Sequence, residues 1–354
     1  MRCVINKIMV DKEYCMSSFL ALRYVENRNK DFFDGVRHQL YEQMPSSRKT
    51  LVTTSADIDD ALKSVFSALK KEKLGLLLSG GMDSAILASY MQGCDAYTFR
   101  FMDGKLYQDE LSRAEYYAQK YKMNLHYVDI DWTAVDLCLD DIMRTKGAPV
   151  HSIEPQIYVA SRQAKADGVT MMVIGDASDY IFGGMDKLLA KDWDFDEFVN
   201  KAIYVNPSSA LKSPCPMSYL FERYRQGNKI DFQKYMSEVT VDESYSSYKN
   251  AFASAEMPYV DPYEGLLLNG CLDLNRIRNG ESKYLIRELF RHKYPQMRVP
   301  EKIPMPRPVD YYFANWDGPK RCEFLDDINM NQMTGNQKWL LYCLERFLNM
   351  YDPY

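Results

Sequence analysis

Three observations predict an α/β protein with a doubly wound, mostly parallel sheet and a mainly helical C-terminal part. Apolar, strand-like runs alternate with helical patterns between residues 55 and 174. A glycine turn joins the first strong strand to the helix that follows it. From about Asp192 onward the strand signal fades, and helical patterns, proline and polar turns dominate. The 354 residues suffice for two domains and a sizeable core. The division expected is a short N-terminal segment (1–50), an α/β domain (51–191) and a mainly helical substrate-binding part (192–354) packed over the sheet's carboxyl edge.

Before the sheet, Ser18 to Tyr24 (SFLALRY) reads as a short helix or strand, Asn27 to Lys30 as a turn and Pro45-Ser46-Ser47 as a linker. Ser55 is placed to cap a helix whose Ile58, Leu62, Val65, Phe66 and Leu69 share one stripe. Leu74 to Leu78 is a buried strand, and Asp83 to Gln92 a helix stopped by Gly93. Further strands follow at Ala96–Phe101, Leu125–Ile130 and Val169–Ile174. Helices at Asp109–Lys122, Trp132–Met143 and Glu154–Ala166 separate them. Ligands of such sheets bind beyond the carboxyl ends of strands, where Ser79 and Gly175 both fall.

Composition narrows the function. Forty-four Lys and Arg against 49 Asp and Glu give a net charge of −5, which argues against nucleic acid as a partner. No apolar stretch approaches the roughly 20 residues of a membrane helix, and the N-terminus is too polar for a signal peptide. Eight cysteines without a CxxC pair show neither a zinc site nor a disulfide framework, and a cytoplasmic location with reduced thiols is expected.

The turn itself reads Ser79-Gly80-Gly81-Met82-Asp83-Ser84. Adjacent glycines let an anion approach the main chain, and the amides opening the next helix lack internal partners. Neither G-x-x-x-x-G-K-[ST] nor G-x-G-x-x-G follows this strand. The stretch resembles instead the SGGxDS pyrophosphate loop of the ATP pyrophosphatases, which cleave ATP between the α and β phosphates. The fourth strand ends in Gly175-Asp176-Ala177-Ser178-Asp179-Tyr180-Ile181-Phe182-Gly183-Gly184. A carboxylate there, opposite Asp83, suits magnesium, which commonly uses one or two carboxylates plus phosphate oxygens. Pro258-Tyr259-Val260-Asp261 and Gly280-Glu281-Ser282-Lys283-Tyr284-Leu285-Ile286-Arg287 follow downstream.

Together, in this order, the motifs resemble the synthetase domain of glutamine-dependent asparagine synthetase and of its β-lactam-forming relatives, over roughly residues 18 to 310. The resemblance implies an adenine nucleotide α-hydrolase-like fold, with ATP and Mg2+ as cofactors. It implies that Leu78, Ser79, Gly81 and Ser84 hold the phosphates and that Leu77 and Gly175 border the adenosine, with Gly80 and Phe99 also expected to meet ATP. The resemblance further implies that Asp83 and Asp179 bind magnesium. It implies that Lys283 neutralises the leaving pyrophosphate, and Asp176 is expected to orient or deprotonate an incoming amine.

Three departures shape the expected reaction. Residue 2 is Arg2, Cys3 is not exposed by removal of Met1, and only about 50 residues precede the synthetase portion. No glutaminase domain is therefore expected, and the nitrogen comes from ammonia, an amine or a separate glutaminase subunit. Tyr180 stands where the family has Glu. Asp176 is an acid where the β-lactam branch carries a catalytic Tyr, so it sides with amide formation. The segment Ala148-Pro149-Val150-His151-Ser152-Ile153-Glu154 holds no arginine to clamp an α-carboxylate, so aspartate is not the expected substrate. His151, Glu154 and Tyr180 are expected to line a different substrate pocket.

The function expected is an ATP-dependent, AMP-forming ligase. It adenylates a small-molecule carboxylate, releases pyrophosphate and passes the acyl group to nitrogen, with a homodimer as a candidate assembly. The competing expectations are adenylation of a nucleobase or RNA for sulfur or nitrogen insertion, and a non-catalytic nucleotide-binding scaffold. The first calls for a basic face or paired cysteines. The second calls for loss of Asp83, Asp179 or Lys283, all of which are present.

Overall fold

A computed structural model describes residues 9–104, 108–301 and 305–353; Arg2 and Cys3 lie outside them. Its centre is a five-stranded, wholly parallel sheet. The strands are β2 (Leu74–Leu77), β3 (Asp95–Phe101), β4 (Asn124–Ile130), β5 (Met171–Val173) and β6 (Tyr259–Val260), with β1 (Thr50–Val52) and β7 (Leu266–Leu268) forming a separate parallel pair. The order across the sheet is β6-β5-β2-β3-β4. The chain leaves β2 towards β3 and β4, then returns to the other side of β2 as β5 and β6. That reversal makes the gap beyond the ends of β2 and β5 the switch point where ligands of such sheets bind.

Both faces of the sheet are buried, as parallel sheets require. Leu74, Leu76, Ala96 and Val173 face one apolar cluster. It contains α2 (Ser55–Ala68), α3 (Met82–Ala88), α4 (Gln108–Lys120) and α9 (Tyr284–Lys293). Tyr97, Val128 and Met172 face the other. It contains α1 (Lys12–Leu22), α5 (Trp132–Lys146), α6 (Glu154–Ala166), α8 (Val241–Ser254) and α10 (Gly335–Tyr351). The alternation of neighbours such as Leu76 and Leu77 between the two faces follows from the two-residue period of a strand. The doubly wound α/β architecture and the helical C-terminal part thus agree with the sequence. Among the described residues no helix is long and apolar enough to cross a membrane.

Local details differ from expectation for identifiable reasons. Ser18 to Leu22 is the second half of α1, which already starts at Lys12 under an Asp11 cap. The cap of α2 is Thr54, not Ser55, because Thr54 and Asp57 satisfy each other's amides in a capping box. The helix after the glycine turn is shorter than the apolar pattern suggests, closing at Ala88 in single turns before Gly93, whose φ is +76°. The sheet also takes its last strand from the C-terminal half. Pro258 to Val260 pairs with β5, Met172 N donating to Pro258 O at 2.8 Å.

Candidate active site

β2 delivers the chain into the glycine turn, and hydroxyls hold the turn's shape. Ser84 Oγ accepts from Ser79 N at 3.2 Å and lies 3.0 Å from Ser79 Oγ, which in turn accepts from Gly81 N at 3.1 Å. Gly80 is required by its neighbour: a Cβ there would stand 2.7 Å from the backbone oxygen of Glu110 at the start of α4. From the same helix Arg113 Nε donates to Gly80 O at 2.9 Å, so a cation sits directly against the turn.

Across the turn Lys283 joins the two carboxylates that the sequence singled out. Its Nζ lies 2.6 Å from Asp83 Oδ2 and 2.9 Å from Asp179 Oδ1, and the side chain is 3% exposed. Asp83 comes from α3, Asp179 from α7 (Ser178–Ile181) and Lys283 from the residue that caps α9. Ser178 Oγ donates to the second oxygen of Asp83. Burial works against the Lys283 ammonium, but Asp179 and Asp83 outweigh it and hold its pKa above the usual lysine value. Lys283 has φ +55°, a left-handed conformation that a lysine adopts at a cost of about 1–3 kcal/mol. Gly184 makes room for the cluster. A Cβ on it would lie 1.9 Å from Asp179 Oδ1 and 2.3 Å from Lys283 Cε.

A second acid pair lies beside the first. Half-buried Asp176 accepts from Ser244 Oγ at 2.8 Å. Burial, then the neighbouring Asp261, pushes the Asp176 carboxyl well above the usual range. Asp261 is buried and accepts from the amides of Ala177 at 2.7 Å and Tyr263 at 3.0 Å. Burial outweighs those amides and raises its pKa to about 7. Both carboxyls are thereby shifted upward from the ordinary carboxylate range, in the direction that suits a group exchanging protons with a nucleophile.

One cavity gathers Leu77, Leu78, Ser79, Gly80, Gly81, Asp83, Ser84, Phe99, Gly175, Asp176, Asp179 and Lys283, which are all the residues expected to meet ATP, metal or amine. His151, Glu154 and Tyr180 do not line it. Glu154 is fully buried and takes Lys146 Nζ and the His151 amide, each at 2.7 Å, and Asn250 Nδ2 at 2.5 Å. It anchors the start of α6 and has no face left for a substrate. Buried His151 lies against Arg23 (Nε2 to Nη1, 2.6 Å), and burial followed by the nearby Arg23 and Arg307 holds its pKa well below the usual value. Tyr180 packs edge-on against Tyr245. The cavity adds Arg113, Arg287 and Tyr248, which the sequence did not single out for roles. Arg287 lies one turn after Lys283 and was visible as the end of the downstream motif. Arg113 and Tyr248 are ordinary helix residues with no local signal.

The oxygen donors fit a magnesium ion in a nucleotide site. Asp83 and Asp179 converge on one cation already, at 2.6 and 2.9 Å, and both are hard oxygen ligands. Among the described residues no group of three or more His, Cys, Asp or Glu stands ready to hold a metal, so phosphate oxygens would have to complete the shell.

Comparison with known proteins bears on this arrangement. Among solved structures the chain is similar to the U34-tRNA thiolase NcsA of Methanococcus maripaludis (16% identity, 57% of this chain and 78% of that one, TM-score 0.25). It is also similar to the glutamine-dependent NAD+ synthetase of Acinetobacter baumannii (13%, 74% and 48%, 0.28), about half of whose length it spans. A third likeness is to the NH3-dependent NAD synthetase of Campylobacter jejuni (13%, 72% and 100%, 0.26). These likenesses are too distant to carry an argument about mechanism. A search of curated proteins found no match. The asparagine synthase family model matches residues 57–261, more than half of the chain, including the glycine turn, Asp176, Asp179 and Asp261. The chain belongs to the asparagine synthase family.

Proposed function

We propose that this chain is an ATP-dependent, AMP-forming carbon–nitrogen ligase acting on a carboxylic acid other than aspartate. Family membership supports an ATP-using synthetase. The observation that carries the finer reading is Lys283, buried and bridging Asp83 and Asp179 at the mouth of the glycine turn. A buried cation held between two carboxylates, beside a turn whose glycines admit an anion, is suited to triphosphate.

In the first half-reaction a substrate carboxylate oxygen attacks the α phosphorus of ATP. The bond to the β phosphate breaks, and pyrophosphate leaves with the electron pair. Lys283, with Arg113 and Arg287 on the same cavity, offsets the charge that builds on it. Asp83 and Asp179 would hold magnesium, whose bound charge neutralises phosphate oxygens. In the second half-reaction ammonia or an amine attacks the acyl carbon, AMP leaves, and a proton is lost from nitrogen. Asp176 in its ionised form is the acceptor offered here, because burial makes that carboxylate a stronger base than an ordinary one.

The test is ATP–pyrophosphate exchange with a panel of carboxylic acids, with and without ammonium, in wild type and Asp179→Ala. Exchange that depends on one acid and vanishes in the variant is expected. Exchange-free protein that still binds ATP would sink the ligase reading.

A further inference from the structure

Past the reacting cluster, α9 carries a row of cations away from the site. Lys283, Arg287 and Arg291 recur every four residues, so they share one side of the helix. Burial falls along the row: Lys283 is buried, Arg287 half-buried and Arg291 exposed. The main chain fixes the first step, where Arg287 N donates to Lys283 O at 2.8 Å. The Arg287 side chain is drawn back to the cavity wall, its Nε donating to Ser282 O at 2.6 Å.

A second cavity, of about 590 Å³, opens at Arg287. Arg287, Pro300 and Glu301 line both this cavity and that of the glycine turn, so the two adjoin. Arg291 from the last turn of α9 and Arg298 from the segment after it complete a basic wall, with Glu301 as the one carboxylate. The volume falls within the ~300–1,000 Å³ of small-molecule clefts. Among the described residues none of the three arginines forms a salt bridge, whereas the nearby Lys293 is held by Asp59 at 2.7 Å. A cation at a helix C-terminus complements the dipole, which accounts for Arg291. It does not account for Arg298, which lies off the helix. Nor does it account for Arg287, whose pKa burial and then Arg291 hold below the usual value. Three guanidiniums around one void, with a single carboxylate among them, suit a compact polyanion.

We propose that the second cavity is a pyrophosphate site, which receives the leaving group from Lys283 and passes it out along Arg287, Arg291 and Arg298. The proposal rests on the ligase reading for the identity of that leaving group. The transfer makes and breaks no covalent bond. It separates two products that must part at different times. Pyrophosphate leaves first, while the acyl-adenylate stays in the first cavity until nitrogen attacks. A separate basic way out lets the one depart without exposing the other to water. All three arginines lie beyond residues 57–261, which the family model matches.

The test is a binding titration of the full chain, saturated with magnesium and α,β-methylene ATP so that the phosphate site of the first cavity is filled. Pyrophosphate and sulfate are compared at matched ionic strength. Wild type is set beside the double variants Arg291→Gln with Arg298→Gln and Arg291→Lys with Arg298→Lys, all on exposed side chains. Pyrophosphate should bind wild type about 10-fold or more tighter than sulfate, and the glutamine variant should lose that advantage while the lysine variant keeps part of it. In ATP–pyrophosphate exchange the glutamine variant should raise KM for pyrophosphate about 10-fold and leave KM for ATP within about twofold. Pyrophosphate no tighter than sulfate would show a general anion patch and overturn the proposal. So would a glutamine variant that melts like wild type and binds pyrophosphate unchanged, or exchanges with an unchanged KM for it. The titration needs no turnover. A protein that binds pyrophosphate beside the analogue but never exchanges it sinks the ligase reading alone. One that exchanges, yet has no pyrophosphate site once the analogue is bound, sinks this inference alone.

Discussion

Gly184→Ala places one methyl group in the cluster on which the account depends. The new Cβ would lie 1.9 Å from Asp179 Oδ1, 2.3 Å from Lys283 Cε and 2.9 Å from Asp179 Cα. Real Cβ contacts do not fall below 3.0 Å, so the Asp179 oxygen must retreat by about 1 Å and the lysine by somewhat less, in a site with few voids to absorb the shift. The overpacking itself costs about 1–3 kcal/mol of stability, which a folded domain of this size survives. The catalytic cost is larger in proportion. A 1 Å misplacement of positioning groups is worth about 100-fold in rate, or about 2.7 kcal/mol of transition-state stabilisation. Pyrophosphate exchange at saturating ATP should therefore fall about 100-fold, while the melting temperature drops only a few degrees and ATP still binds. A Gly184→Ala protein that exchanges within threefold of wild type would refute the assignment of the Lys283–Asp179 pair to the reaction.

Glu154→Ala should act on stability, leaving the buried Lys146 ammonium without its carboxylate, at a cost of about 3–5 kcal/mol in denaturant unfolding. A loss under about 1 kcal/mol would contradict its anchoring role. The pH dependence of stability should carry the mark of Asp176 and Asp261. Burial, and for Asp176 next the charge of Asp261, raises both carboxyls in the folded state. The native protein then binds protons more tightly than the unfolded chain. Their contribution to stability falls as pH rises from about 4, the unfolded value, through about 7, where Asp261 ionises. Asp261→Asn should flatten that slope between pH 5 and pH 8, and an unchanged slope would show that Asp261 titrates normally.

What the sequence disclosed was local. The glycine turn, Asp176, Asp179 and Lys283 each sit in a short motif, and the residues carried from those motifs meet in one cavity. Gly80 was legible because its neighbours in sequence already called for a turn, though the reason for it, the backbone of Glu110, comes from another helix. Features made only by tertiary packing left no trace. Arg23 meets His151 across 128 positions and Glu243 across 220. Tyr259 and Val260 were noticed as part of a motif but are too short to read as a strand until β5 pairs with them. Glu154 and His151 drew attention as polar residues beside a binding segment. Their burial against Lys146, Asn250 and Arg23 depends on α5, α8 and α1 packing around that segment, which no local pattern encodes.

The central claim is cleavage of ATP between the α and β phosphates at the turn guarded by Lys283. Phosphorus NMR of the nucleotide products, taken with the acid that supports exchange and with ammonium, tests it most directly. The account predicts AMP and pyrophosphate in equal amounts from wild type and neither from Lys283→Ala. ADP and inorganic phosphate from wild type, or AMP formation undiminished in Lys283→Ala, would contradict it.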